Sequence, residues 1–116
     1  MKKHLYFNGK IVSLNNIKIR PYDIGLLRGY GVFDVMRTQN GKPFLLNEHW
    51  RRLKNSANDL GLNVPIKKER YKKIVARLLK LNGFKKSIMR TVVTGGYSDN
   101  GFSYQPGKET FIILTE

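Results

Sequence analysis

Two Asn-Gly dipeptides, each set between short apolar runs, constrain this chain more than any other feature. Asn8-Gly9 separates Leu5-Tyr6-Phe7 from Lys10-Ile11-Val12-Ser13, and Asn40-Gly41 separates Val32 to Gln39 from Lys42 to Leu46. A two-residue hairpin turn needs positive φ at both central positions, which asparagine and glycine tolerate at little cost. Each dipeptide therefore predicts a tight antiparallel hairpin. Ile17-Lys18-Ile19-Arg20 alternates apolar and basic residues and predicts a further short strand, closed by Pro21. The segment from Asp23 to Gly31, punctuated by glycine, reads as a loop.

After the second hairpin the apolar period changes from two to about 3.6. Trp50, Leu53, Ala57 and Leu60 share one face of a helix that opens near Asn47, a suitable N-cap, and stops at Gly61. Tyr71, Ile74, Val75 and Leu78 predict a second helix from about Lys67 to Leu81, ended by Gly83. Ser87 to Thr94 is β-branched and reads as a strand. Gly95 to Gly107 is a long loop whose Gly95-Gly96 pair reads as flexible, and Thr110 to Thr115 is a final apolar strand. The order predicts an α+β domain with a mainly antiparallel sheet and two helices. Termini are ordinarily polar and frayed, whereas Glu116 closes an apolar β-run, so this sequence is expected to be part of a longer chain.

A chain of 116 residues with 41% hydrophobic content has the means to bury one core. It contains no cysteine, which excludes a disulfide framework and a thiolate metal site and fits a reducing compartment. The basic start Met1-Lys2-Lys3-His4 leads into an apolar stretch that Asn8-Gly9-Lys10 breaks at once. That is too short for a signal peptide or a membrane span, so a cytoplasmic protein is expected. The only histidines, His4 and His49, lie far apart and make a metal centre an unnatural reading. Ser56, His49 and Asp59 fall on one helix, which cannot align a nucleophile, a base and an orienting carboxylate.

With 22 Lys+Arg against 8 Asp+Glu the net charge is +14, a field that raises nucleic-acid binding as an alternative. That reading needs aromatic rings shared with cations on one sheet face, and Tyr6, Phe7, Phe33 and Phe44 are the candidates, each with a competing role in the core. Lys67-Lys68 and Lys72-Lys73 lie on a helix whose other face is apolar and read as a solvated surface. Four arginines are placed less simply. Arg28 lies in the tight run Arg28-Gly29-Tyr30-Gly31, Arg37 lies on the strand of Phe33, Arg52 borders an apolar helix stripe, and Arg90 interrupts a β-branched strand. Guanidinium is the side chain suited to bidentate recognition of carboxylate and phosphate, and that makes all four candidates for anion binding.

The combination of these segments resembles a known family. Tyr6-Phe7-Asn8-Gly9, the run from Asp23 through Arg28-Gly29-Tyr30-Gly31-Val32-Phe33-Asp34, then Arg37 and Asn40-Gly41-Lys42-Pro43-Phe44, is similar to the N-terminal domain of class IV, or fold-type IV, aminotransferases. Asn47-Glu48-His49-Trp50-Arg51-Arg52-Leu53 and the stretch from Arg90 to Gly96 continue the likeness. The family includes branched-chain and D-amino-acid aminotransferases and aminodeoxychorismate lyase, all of which use pyridoxal 5'-phosphate. The resemblance implies that Arg52, in the Glu-His-x-x-Arg-Leu pattern, binds the cofactor phosphate, that Phe33 lines the substrate side, and that the glycine run carries Arg28 across a homodimer interface. It also implies amino-acid and 2-oxo-acid substrates. The catalytic lysine is expected in a second domain beyond Glu116, so that this chain by itself holds no catalytic residue.

Departures from the family pattern leave the substrate subclass open. Asp23-Ile24-Gly25 stands where Asp-Arg-Gly is common, and Phe33 where the D-amino-acid enzymes carry tyrosine. Their carboxylate-binding arginine near Gly95 is also missing. Arg28 and Arg90 are the available replacements, with Arg37 a further wall residue, unless Arg28 instead pairs with Asp23 or Asp34. A lyase of the same family fits this half as well as an aminotransferase does.

Overall fold

Both Asn-Gly pairs form the turns their composition requires. In the computed structural model, which describes residues 4–116, Asn8 and Gly9 have φ of 46° and 102°, and Asn40 and Gly41 have 54° and 74°. Met1 to Lys3, most of the basic start, lie outside the described residues. The first turn joins β1 (His4–Phe7) to β2 (Lys10–Ser13), and the second joins β3 (Gly31–Gln39) to β4 (Lys42–Pro43). With β5 (Ile88–Thr94) and β6 (Thr110–Thr115) they make one six-stranded sheet in the order β2-β1-β6-β5-β3-β4, and every pair in it is antiparallel. The fold is α+β, as the element order predicts.

Successive residues of a strand face opposite sides, and here the two sides differ in kind. Met36, Met89, Val93, Phe111 and Ile113 point to a core closed by α2 (Leu46–Asp59) and α3 (Lys68–Asn82). The helices contribute Trp50, Leu53 and Ala57 from one stripe and Tyr71, Ile74, Val75 and Leu78 from the other, the periodic residues of the sequence. Lys72 and Lys73 lie on the exposed side of α3. The opposite sheet face carries Phe33, Val35 and Arg37 from β3, with Ile88, Arg90 and Val92 beside them on β5. Among the described residues no helix is long and apolar enough to cross a membrane.

Four local expectations are corrected. Ile17 to Arg20 is no strand: a 3-10 turn at Leu14–Asn16 precedes it, Ile19 is half exposed, and Arg20 stacks on Tyr97 at 3.9 Å. Alternation predicts a strand only where a neighbour offers a ladder, and among the described residues none reaches this segment. The glycine run from Asp23 contains a short helix, α1 (Ile24–Arg28), capped by the Asp23 carboxylate on the Gly25 N–H and closed by Gly29 at φ 68°. Helix α2 begins one residue before Asn47, and Leu45 at φ 58° turns the chain into it with no side-chain cap. Leu60 is 40% exposed instead of completing the apolar stripe, and its carbonyl accepts the Tyr30 hydroxyl.

Candidate functional site

Asp34 shares the strand parity of Met36 and Thr38, which points it to the helix side of the sheet and leaves it 8% exposed. A carboxylate taken out of water needs cations or hydrogen-bond donors around it. One turn of α2 supplies both, because residues three apart on a helix lie side by side. Arg52 Nε donates to Asp34 Oδ1 at 2.5 Å, and His49 Nδ1 lies 2.7 Å from Asp34 Oδ2. A carboxylate only accepts, so Nδ1 carries the proton, and the 3.3 Å approach of Arg52 Nη2 to that atom is proximity and not a bond. Each carboxylate oxygen thus has its own partner.

Arg52 is 63% exposed despite this anchor. One of its five N–H groups is committed to Asp34, Nη2 lies near His49, and most of the side chain is open to solvent. A planar guanidinium so placed can hold an anion of phosphate or carboxylate geometry. Beneath it, Tyr71 stacks on Trp50 at 4.8 Å and hydrogen-bonds Thr91, the cross-strand partner of Asp34. Burial pushes the Tyr71 phenol above its ordinary range, and the Asp34 charge adds to this against the opposing Thr91 bond.

The other sequence candidates divide into two groups. Phe33, Arg37 and Arg90 share the sheet face away from the helices, and Arg90 stands opposite Val35, the residue between the first two on that face. Phe33 is 63% exposed there, Arg37 stacks on Phe44 at 4.7 Å, and Arg90 Nε lies 3.3 Å from Glu116 Oε2. Arg28 stands apart. It donates to the Phe102 carbonyl at 2.6 Å and lies over the Tyr30 ring. Arg90 is four residues along β5 from Thr94, the partner of Gly31, a strand length of about 13 Å. Within one chain Arg28 and Arg90 therefore do not meet. Nor does Arg28 take Asp23, whose carboxylate accepts from Gly25 N, Thr94 Oγ1 and Thr110 Oγ1.

Sequence reasoning missed Asp34 and His49 as partners of Arg52. The signal was present, since an acidic residue on the core parity of a strand must find cations or hydrogen-bond donors. It also misread Gly95-Gly96, which is buried and packed instead of flexible: Ile24 N donates to Gly96 O, and Gly95 N to Tyr30 O. No cluster of three or more His, Cys, Asp or Glu side chains suited to a metal occurs among the described residues.

Residues 31–116 match the model of the family described as amino-transferase class IV. A Methanocaldococcus jannaschii protein with the provisional name branched-chain-amino-acid aminotransferase is 37% identical over 95% of this chain and 38% of its own length. The aminodeoxychorismate lyase of Bacillus subtilis is 35% identical over 87% of this chain and 35% of its own. In structure, the branched-chain aminotransferase of Thermoproteus uzoniensis with norvaline superposes with a TM-score of 0.84 at 26% identity, covering 98% of this chain and 40% of that one. The chain thus spans less than two fifths of the length of these two sequence relatives. The family match covers every strand from β3 onward and both long helices, the Asp34, His49 and Arg52 cluster included, and the chain belongs to the class IV aminotransferase family.

Proposed function

We propose that this chain is the small N-terminal domain of a two-domain, pyridoxal-phosphate-dependent aminotransferase that moves an amino group from an amino acid to a 2-oxo acid. The catalytic lysine, in this reading, belongs to a second domain, and the 116 residues alone are inert or nearly so. The observation that carries the reading is Arg52: an exposed guanidinium anchored at one nitrogen, in the Glu-His-x-x-Arg-Leu segment of a chain that belongs to this family. Its donor set fits a phosphate dianion, which takes several charge-assisted N–H bonds at once.

Pyridoxal phosphate, when bound, supplies an electron sink for the substrate α-carbon. The residues of this chain bind and orient. Arg52 holds the phosphate and so fixes one end of the cofactor. Phe33, exposed on the far side of the same strand, walls the substrate side and excludes water from it. Arg37 and Arg90 share that face and offer guanidinium groups to an α-carboxylate, an arrangement that fixes the plane of the acid and not only its position. Arg28 acts, in a homodimer, toward the partner subunit's site.

Arg52→Ala in the full-length enzyme is expected to cost on the order of 2–4 kcal/mol of cofactor affinity. Arg51→Ala, one residue away on an exposed flank, should change it by less than about 0.5 kcal/mol. Equal losses in a cofactor titration of the two variants would overturn the assignment. A second reading, a lyase of the same family, is favoured by the 35% identity to the Bacillus subtilis enzyme. Transfer consumes a 2-oxo acid acceptor in proportion to product and elimination does not, so acceptor stoichiometry separates the two.

A further inference from the structure

Asp34 has no place in the binding roles assigned above, yet the fold keeps a carboxylate on the core side of β3 at 8% exposure. A buried ion pair is weak evidence for stability, because desolvation offsets much of the attraction. A position of this parity accepts threonine, valine or methionine, as Thr38, Val32 and Met36 on the same strand face show. The geometry around Asp34 points to another use. Its Oδ1 takes Arg52 through Nε alone and not through a two-nitrogen fork, while Oδ2 is occupied by His49. The guanidinium is planar and its N–H directions are fixed relative to one another, so holding Nε–H fixes the direction of the four remaining N–H groups. An unheld arginine on an exposed helix flank would sample many rotamers and give up about 2 kcal/mol of side-chain entropy on binding.

We infer that Asp34, locked in turn by His49, is a positioning residue that presents the terminal nitrogens of Arg52 to the cofactor phosphate. The inference rests on the reading of Arg52 as the phosphate ligand and goes beyond it: Asp34 touches neither cofactor nor substrate, and acts only through the guanidinium.

The test uses the full-length protein freed of cofactor and two non-covalent probes, pyridoxamine 5'-phosphate and pyridoxamine, titrated calorimetrically. The ratio of their affinities reports the phosphate contact alone. Arg52→Ala should lower this ratio about 30-fold or more, and Asp34→Asn, which keeps the shape and removes the charge, about 10-fold, with pyridoxamine affinity unchanged. The double variant should be no worse than Arg52→Ala, since Asp34 has no route to the phosphate except Arg52. If Arg52→Ala lowers the ratio and Asp34→Asn keeps the wild-type value, the positioning role is overturned and the proposed function stands. If Arg52→Ala leaves the ratio intact, the phosphate reading itself falls. Equal loss for both probes in Asp34→Asn would mark a purely structural residue and overturn the inference as well. Should Asp34→Asn fail to fold, Arg52→Lys serves in its place: an ammonium cannot address Asp34 and the phosphate from separate fixed nitrogens, so its ratio should fall nearly as far as that of Arg52→Ala. A wild-type ratio in Arg52→Lys would overturn the inference.

Discussion

A buried carboxylate leaves a trace on its neighbours, and at the residue scale Tyr71 carries it. Its phenol is raised first by burial and further by the Asp34 charge, against the Thr91 hydrogen bond. The folded state therefore holds this proton more tightly than the unfolded chain, whose phenol titrates at about 10. For a raised pKa the stabilisation is fully present below the unfolded value and is lost as pH rises through the folded one. Unfolding free energy should decline on the alkaline side of about pH 10, and Tyr71→Phe, which has no proton to lose, should flatten that limb. Urea titrations of both proteins between about pH 9 and pH 11 check this, with the lysines, common to both, cancelling in the difference. A limb of unchanged slope in the variant would assign the alkaline loss elsewhere. Arg52 was legible from the sequence as a candidate because it lies in a recognisable helix segment. Its partners were legible only in principle, since pairing Asp34 with α2 requires knowing that the helix returns across β3, and no local pattern gives that.

At the scale of elements, what could be read depends on how local the cause is. The Asn-Gly turns and the helix ends at Gly61 and Gly83 are decided within a few residues, and they form as expected. The return strand expected over Lys42 to Leu46, by contrast, stops at Pro43, because Leu46 already opens α2. Ile17 to Arg20 has the alternation of a strand but no neighbour to pair with, and α1 is too short to show a helical period, so its cap at Asp23 is its one sequence mark. The Gly95-Gly96 pair is a matter of close approach. A Cβ at Gly96 would lie 1.7 Å from the Lys108 carbonyl oxygen, with φ at 74°, and one at Gly95 would meet Ile24 and Tyr30. These glycines let the end of β5 pack beneath α1, the helix that carries Arg28. Gly96→Ala must strain the backbone and displace a carbonyl, which is expected to cost about 1–3 kcal/mol or more. Gly107→Ala, also at positive φ (96°) but with open space around it, should cost less. Urea unfolding of the two variants compares them, and equal losses would show that φ alone, without the close approach, sets the requirement.

At the scale of the whole molecule, the charge and the sheet faces bear on what the chain does. A positive field of +14 invites nucleic acid, but the four rings named as a stacking platform are not arranged as one. Tyr6 is 2% exposed in the core under the helices, Phe33 stands on the opposite face, and Phe44 lies against Arg37. The outward face carries instead Phe33, Arg37 and Arg90, the residues that the proposed function gives to the substrate side. What this half lacks, in the proposed reading, is the nucleophile. A lysine reacts preferentially with an aldehyde when it is desolvated in a closed pocket, whereas the lysines at 67, 72, 73, 80, 85 and 86 are exposed to solvent. Mixing the 116-residue chain with pyridoxal phosphate and reducing with borohydride should therefore label many lysines, each in low yield, as equally solvated amines do. Peptide mapping by mass spectrometry reads the distribution. Near-stoichiometric label on one lysine would mean that the catalytic residue is already in this chain, and the assignment of catalysis to a second domain would have to be withdrawn.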